Sequence, residues 1–119
     1  ILLTINASPY KNINQTLDNP LVSKLYSLSN EFKQLSKDDE IFIFSDLIEM
    51  SNYGDFNLLD ENEFHKAFVR VINDKNIPYN YGNNINFFGI ESSSLVLEFW
   101  EDIFNISNSS PNLYSNLLE

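Results

Sequence analysis

The sequence predicts an α/β domain in which a parallel sheet is covered by helices on both faces, giving three layers. Three short apolar runs typical of strands alternate with three longer runs of helical spacing, and this alternation favours a parallel sheet. The central run, residues 41–44, reads IFIF without a polar residue, which predicts a strand buried on both faces. A chain of 119 residues can bury one core, so residues 1–119 are predicted to form a single domain.

The first half of the chain is predicted to hold a strand and an amphipathic helix. Residues 1–6 (ILLTIN) form the first strand, and a polar stretch follows them. Asp18 and Asn19 then precede Pro20, an order typical of a helix start. Apolar residues recur at helical spacing over roughly 17 residues, which is a typical helix length. This stripe consists of Leu21, Leu25, Leu28, Phe32 and Leu35.

The second half is predicted to repeat this order after the central strand. Asp60 and Glu63 have the spacing of a capping box at the start of a second helix. Residues 85–90 form the third strand, and the serines at 92–94 can cap a third helix. Its two adjacent apolar stripes predict deep burial, whereas the polar tail after this helix is predicted to run over the surface. The stripes consist of Leu95, Val96, Phe99, Trp100, Ile103 and Phe104.

Three parallel strands make a small sheet with two open edges, and an open edge pairs readily with another chain. We therefore expect one of two arrangements. Either a partner or a second copy covers an edge, or the chain is the carboxyl-terminal part of a larger domain. The abrupt start at Ile1, inside an apolar run, favours the second arrangement, in which residues 1–6 are an inner strand.

The composition restricts the function. Seventeen acidic residues against seven basic ones give a net charge of −10, which argues against binding to nucleic acid or to an anionic membrane. The same charge would attract a divalent cation or a basic protein partner. The chain has no cysteine and a single histidine, His65, so thiolate chemistry is excluded and a histidine-centred catalytic site is not expected.

The sharpest candidate for a functional site is Ser45–Asp46, directly after the central strand. Ligands of open α/β sheets bind beyond the carboxyl ends of the strands, so Asp46 could hold Mg²⁺ there. Asp46 could equally be an ordinary turn residue. Thr16 could add a hydroxyl near the same edge, or serve only as a helix-entry residue. Glu49 is expected to be solvated.

Three segments carry a resemblance to a known family: QTLDNPLVSKLYSL at 15–28, IFIFSDLIEMS at 41–51, and INFFGIESSSLVLEFWEDIF at 85–104. With these segments the chain resembles the carboxyl-terminal part of a von Willebrand factor A-type (VWA) domain, which has a Rossmann-like fold. It is most similar to the stand-alone VWA-like proteins of bacteria.

The resemblance implies a metal-ion-dependent adhesion site holding Mg²⁺ at the carboxyl end of the sheet. Ser45 and Asp46 match the family's Thr/Ser-Asp turn, and Thr16 can match its threonine before a helix. The family's Asp-x-Ser-x-Ser turn is not matched, because the nearest stretch, TINAS at residues 4–8, lacks the leading aspartate.

The resulting expectation is a non-enzymatic VWA-like protein-binding or assembly module of the bacterial cytoplasm, with Mg²⁺ bridging to a carboxylate of a protein partner. Two alternatives remain open. One is a Mg²⁺-dependent hydrolase or phosphoryl-transfer domain that uses Asp46. The other is a metal-free structural subunit whose sheet edge docks to another chain.

Overall fold

The protein is an α/β domain with a parallel sheet, as predicted. The computed structural model describes residues 2–6, 19–36, 38–78, 84–90 and 93–114. The strands are β1 (Leu2–Asn6), β2 (Glu40–Phe44), β3 (Met50–Ser51), β4 (Gly54–Asp55), β5 (Asn84–Phe88) and β6 (Asn112–Tyr114). The helices are α1 (Leu21–Lys33), α2 (Glu61–Asn73) and α3 (Ser94–Ile106).

The main sheet contains four parallel strands in the order β1-β2-β5-β6. The predicted central strand is therefore an inner strand, while β1 lies at an edge of the four described strands. The short strands β3 and β4 form a separate antiparallel hairpin between β2 and α2.

The tail prediction was wrong for residues 112–114, which form β6 and pair with β5. Their side chains alternate as strand residues do. Leu113 packs against the core, whereas Asn112 and Tyr114 are exposed. A three-residue strand is too short to show this period clearly in the sequence, and only its pairing with β5 reveals it.

The two faces of the sheet are buried to different extents. On one face, which we call the helix-covered face, Ile41 and Ile43 of β2 and Ile85 and Phe87 of β5 are all at most 4% exposed. On the other face, Phe42 and Phe44 are only half-buried. The prediction that the central strand is buried on both faces is therefore confirmed for the helix-covered face and was wrong for the second face, where its side chains are half-buried.

All three described helices contribute to one core on the helix-covered face. Its members from the sheet all point to that face, and its helical members include Leu25 of α1, Val71 of α2 and Trp100 of α3. Strands added in one direction through right-handed crossovers carry their helices on one face, which accounts for this arrangement. A helical layer over the second face remains a prediction.

The helix starts confirm two of the three capping predictions. The carboxylate of Asp60 accepts the main-chain N–H of Glu63 at 2.8 Å, and the Glu63 carboxylate accepts that of Asp60 at 3.2 Å, so the capping box of α2 is complete. The Ser93 hydroxyl caps α3. Pro20 occupies the cap position of α1, where it supplies no side-chain acceptor.

The first helix is shorter than predicted. It ends at Lys33 after 13 residues, so Leu35 lies beyond it and is half-buried. Within the described residues, none of the helices combines the length and the apolar character that crossing a membrane would require.

Candidate functional site

The segment from Ser45 to Ser51 leaves the carboxyl end of β2 and forms the candidate site. The register pairs Phe44 with Asn6 at the end of β1 and with Phe88 at the end of β5. The Ser45 N–H donates to the Phe88 carbonyl at 2.9 Å. Ser45 and Asp46 therefore stand at the edge of the sheet that the sequence predicted, between two neighbouring strand ends.

Both predicted residues form local turns at this edge. The Ser45 hydroxyl accepts the Leu47 N–H at 2.9 Å, and the side chain is 1% exposed. The Asp46 carboxylate is half-buried and accepts the Ile48 N–H at 2.9 Å. Short polar side chains commonly stabilise turns in this way. The turn-forming interpretation of Asp46 is thus observed.

Leu47 adopts a left-handed backbone conformation at the centre of this turn. Its φ is 61°, and its side chain is fully buried. A bulky residue rarely adopts such a conformation, which must be held in place by its surroundings. The indole N–H of Trp100 supplies one such restraint by donating to the Leu47 carbonyl at 2.8 Å.

Glu49 is buried, so the prediction that it is solvated was wrong. Its side chain is 0% exposed, and one carboxylate oxygen accepts the Val22 N–H at 2.9 Å. The other accepts the Ser51 hydroxyl at 2.5 Å. Val22 lies in the first turn of α1, where Pro20 leaves backbone donors without a side-chain cap. Glu49 thus acts as a distant cap, favoured by the positive end of the helix dipole.

Asn19 fixes the same segment against the start of α1. Its N–H donates to the Met50 carbonyl at 2.8 Å, and its carbonyl accepts the Met50 N–H at 3.1 Å. The side chain is 1% exposed and accepts the Lys24 ammonium at 3.0 Å. Neither the burial of Asn19 nor its pair of backbone hydrogen bonds with Met50 was predicted, because the two residues are far apart in the sequence.

The described residues fit a Mg²⁺ ion only in part. Asp46 brings a carboxylate to the edge, but the Ser45 hydroxyl is buried within its own turn and Glu49 is committed to α1. Among the described residues, no group of three acidic, histidine or cysteine side chains could hold a metal. Thr16 lies outside the described residues, so its predicted contribution stays a prediction.

A second polar cluster, missed by the sequence analysis, surrounds Tyr53. The Tyr53 hydroxyl donates to the Asp74 carboxylate at 2.8 Å and accepts from the Asn76 amide at 3.1 Å. Burial raises the pKa of the Tyr53 phenol, and the neighbouring Asp74 carboxylate adds to the rise. The Arg70 guanidinium lies 5.2 Å from the Tyr53 ring centroid and donates to the Asn52 carbonyl.

This Tyr53 cluster lines a cleft of about 290 Å³. The polar groups of the Tyr53 cluster hydrogen-bond mainly to one another. This favours a structural role, in which the cluster joins the β3–β4 hairpin to α2. The four-residue spacing between Arg70 in the last turn of α2 and Asp74 directly after the helix is the signal that could have indicated this cluster. His65, the single histidine of the chain, is exposed on α2.

Comparison with known proteins identifies no relative. No protein-family model matches the chain, and neither a curated protein nor a solved structure matches it. The VWA resemblance therefore rests on the three sequence segments alone.

Proposed function

We propose that this chain is a non-enzymatic, VWA-like protein-binding or assembly module, and that a partner protein covers the second face of its sheet. The observation that carries the proposal is a row of aromatic side chains on that face, which we call the aromatic face. It consists of Phe42, Phe44, Phe88 and Tyr114.

The aromatic face is continuous and partly exposed. The Phe88 ring stacks on Phe42 with centroids 5.6 Å apart and on Tyr114 with centroids 4.8 Å apart. Tyr114 is 43% exposed, and Phe42 and Phe88 are half-buried. Aromatic side chains are enriched in the buried centres of protein interfaces, so this row suits an apolar contact with another protein.

Parallel sheets are normally covered on both faces, and the three described helices all contribute to the core on the helix-covered face. The partner in this proposal supplies an apolar helix over the aromatic face. The sheet would then have the three-layer arrangement of a VWA-type fold.

A different protein suits this role better than a second copy of the chain. Two copies would each bring a net charge of −10, and like charges oppose association. The edge strand β6 offers only three residues for pairing. Light scattering on the purified chain tests self-association directly, and a stable dimer would replace the partner proposal with assembly between copies of the chain.

Hydroxyl-radical footprinting tests the proposal. The native assembly is purified from the producing cells through a tag and compared with the isolated chain. Oxidation of Phe88 and Tyr114 should fall several-fold in the assembly, whereas Leu58, which is 77% exposed, serves as the unprotected reference. Equal oxidation of Phe88 and Tyr114 in both samples would show that nothing covers the aromatic face.

A matched pair of variants extends this test. Tyr114→Ser should weaken retention of the partner, because it removes an exposed ring from the contact. Leu58→Ser should leave retention unchanged, since Leu58 lies outside the aromatic face.

Mg²⁺ binding is a second and separable proposal. Two observations support it. The end of β1 lies beside the end of β2, where Ser45 and Asp46 follow, so polar groups from two strand ends can meet at this edge. Mg²⁺ also prefers carboxylate and hydroxyl oxygens as ligands. If Mg²⁺ binds, millimolar Mg²⁺ should raise the melting temperature, and Asp46→Ala should abolish the rise. An unchanged melting temperature of the unmodified protein would remove the metal from the proposal.

The hydrolase alternative receives less support. It requires a second carboxylate beside Asp46 and also a general acid or a phosphate-binding donor, and the described residues at this edge offer none that is not already used in the fold. Hydrolysis of generic phosphoesters that disappears in Asp46→Asn would restore it.

A further inference from the structure

We propose that a groove between α2 and α3 binds a lysine or arginine side chain on a basic segment of a partner protein. The groove has a volume of about 130 Å³ and lies on the helical side of the molecule, away from the aromatic face. The inference deepens the proposed binding function, on which it rests, but it uses a different surface.

The floor of the groove is aromatic and apolar. It is formed by Phe64 and Phe68 of α2 and by Leu95 and Phe99 of α3. The Phe99 ring lies 6.2 Å from Phe64 and 6.4 Å from Phe68, between ring centroids, and the second pair is edge-to-face. Such a floor can accept the aliphatic stem of a long basic side chain.

The rim of the groove is acidic. Glu61 of α2 and Glu98 and Asp102 of α3 line it, and Glu61 and Asp102 are exposed. Glu98 and Asp102 are four residues apart, so they share one face of α3. Among the described residues that line the groove, His65 alone is basic. A basic side chain that enters the groove would therefore have acidic side chains on the rim beside it.

An apolar floor beside an acidic rim favours a basic side chain over other occupants. An apolar helix would leave the carboxylates without partners, whereas a basic side chain contacts both parts. A metal ion is a poorer candidate, since no three acidic or histidine side chains of the described chain are grouped closely enough to hold one. A second copy is also disfavoured by the net charge of −10, which would instead steer a basic partner toward the surface.

Titration of the isolated chain with short peptides tests the inference, with amide NMR shifts as the readout. The probe is a pentapeptide with blocked ends and one central lysine as its sole charged residue. Its matched control carries norleucine, which keeps the aliphatic stem and lacks the charge. We expect saturable shifts confined to residues 61–68 and 95–102. Binding should be about tenfold weaker for the norleucine peptide, and it should weaken at high salt.

Variants separate the groove from the general acidity of the surface. Glu98→Gln combined with Asp102→Asn should weaken lysine-peptide binding about tenfold. Glu31→Gln combined with Glu101→Gln removes the same charge from exposed positions outside the groove and should leave binding within about twofold.

Three results would overturn the inference: no saturable binding, equal binding of the two peptides, or equal weakening by the two pairs of substitutions. These outcomes are independent of the footprinting of Phe88 and Tyr114. If the peptide does not bind the groove, the aromatic-face proposal is unaffected. If footprinting shows no protection of the aromatic face, peptide binding to the groove can still be measured.

Discussion

The indole N–H of Trp100 on α3 donates a hydrogen bond to the main-chain carbonyl of Leu47, with the two atoms 2.8 Å apart. Both residues are fully buried, and Leu47 has a φ of 61°. The turn that carries the candidate Asp46 is therefore held by a residue of the last helix. The conformation of the candidate site thus depends on the packing of α3 against the sheet.

Trp100→Phe should lower the free energy of unfolding by about 2–4 kcal/mol, because it leaves a buried carbonyl without its donor and removes part of a buried ring. Urea denaturation measures the loss. Phe87→Leu is a matched control, since it also removes buried aromatic volume but breaks no side-chain hydrogen bond. Amide exchange at residues 45–49 should accelerate in Trp100→Phe more than in the control. Equal acceleration would mean that the hydrogen bond does not restrain the turn.

Glu49→Ala should cost about 3 kcal/mol of unfolding free energy, because the buried Val22 N–H would lose its acceptor at the start of α1. Glu49→Gln retains one acceptor oxygen but not the charge, so its loss should be roughly half as large. Both are measured by urea denaturation beside Glu31→Gln, a change at an exposed position of α1 that should be nearly neutral. If the Gln and Ala variants were equally unstable, the charge rather than the hydrogen bond would dominate.

Asp60→Ala should lower the stability by about 1 kcal/mol, the usual cost of losing a helix N-cap. Asp60→Asn keeps an acceptor for the Glu63 N–H and should stay within a few tenths of a kcal/mol of the unmodified protein. Thermal denaturation followed by circular dichroism compares the two. A neutral Asp60→Ala would show that the second helix does not need its capping box.

The stability should fall as the pH rises above about 10, and Tyr53 should contribute to the fall. Burial raises the pKa of its phenol above the ordinary 10.0, and Asp74 adds to the rise. The folded state therefore holds the proton more tightly than the unfolded state. The resulting stabilisation is fully present below the unfolded pKa and is lost as the pH passes through the folded pKa.

Urea midpoints at pH 8 and pH 11 measure this effect, with Tyr53→Phe as the comparison. Between these two pH values the variant should lose less stability than the unmodified protein, because a phenylalanine ring has no proton to release. Identical losses in both proteins would show that the titration of Tyr53 is not linked to folding.

Local sequence signals predicted much of the fold. The three main strands were located as short apolar runs and the three helices from their periodicity. The caps of α2 and α3 were predicted from Asp60 with Glu63 and from the serines at 92–94, all within one helical turn. The end of β2 also indicated where Ser45 and Asp46 would lie, because carboxyl ends of parallel strands share one edge. The short strand β6 escaped detection, since three residues do not establish a period.

Side-chain roles at the site could not be predicted in the same way. The sequence pattern around Glu49 suggested a solvated acid, but the carboxylate contacts Val22, which is 27 positions away. Similarly, Leu47 and Trp100 are 53 positions apart. Such pairs depend on how the crossovers bring α1 and α3 to the end of β2, and no local pattern encodes that path.

By itself, the sequence determined the α/β class, the order of the main elements and the position of the Ser45–Asp46 turn. These features follow from hydrophobic periodicity and capping, which act between residues close in the chain. Only the tertiary structure decided that Glu49 caps α1, that Trp100 restrains Leu47, and that one sheet face carries the helical core while the other carries a partly exposed aromatic row. Those features arise from contacts between distant residues, and their free energies exist only once the chain has folded.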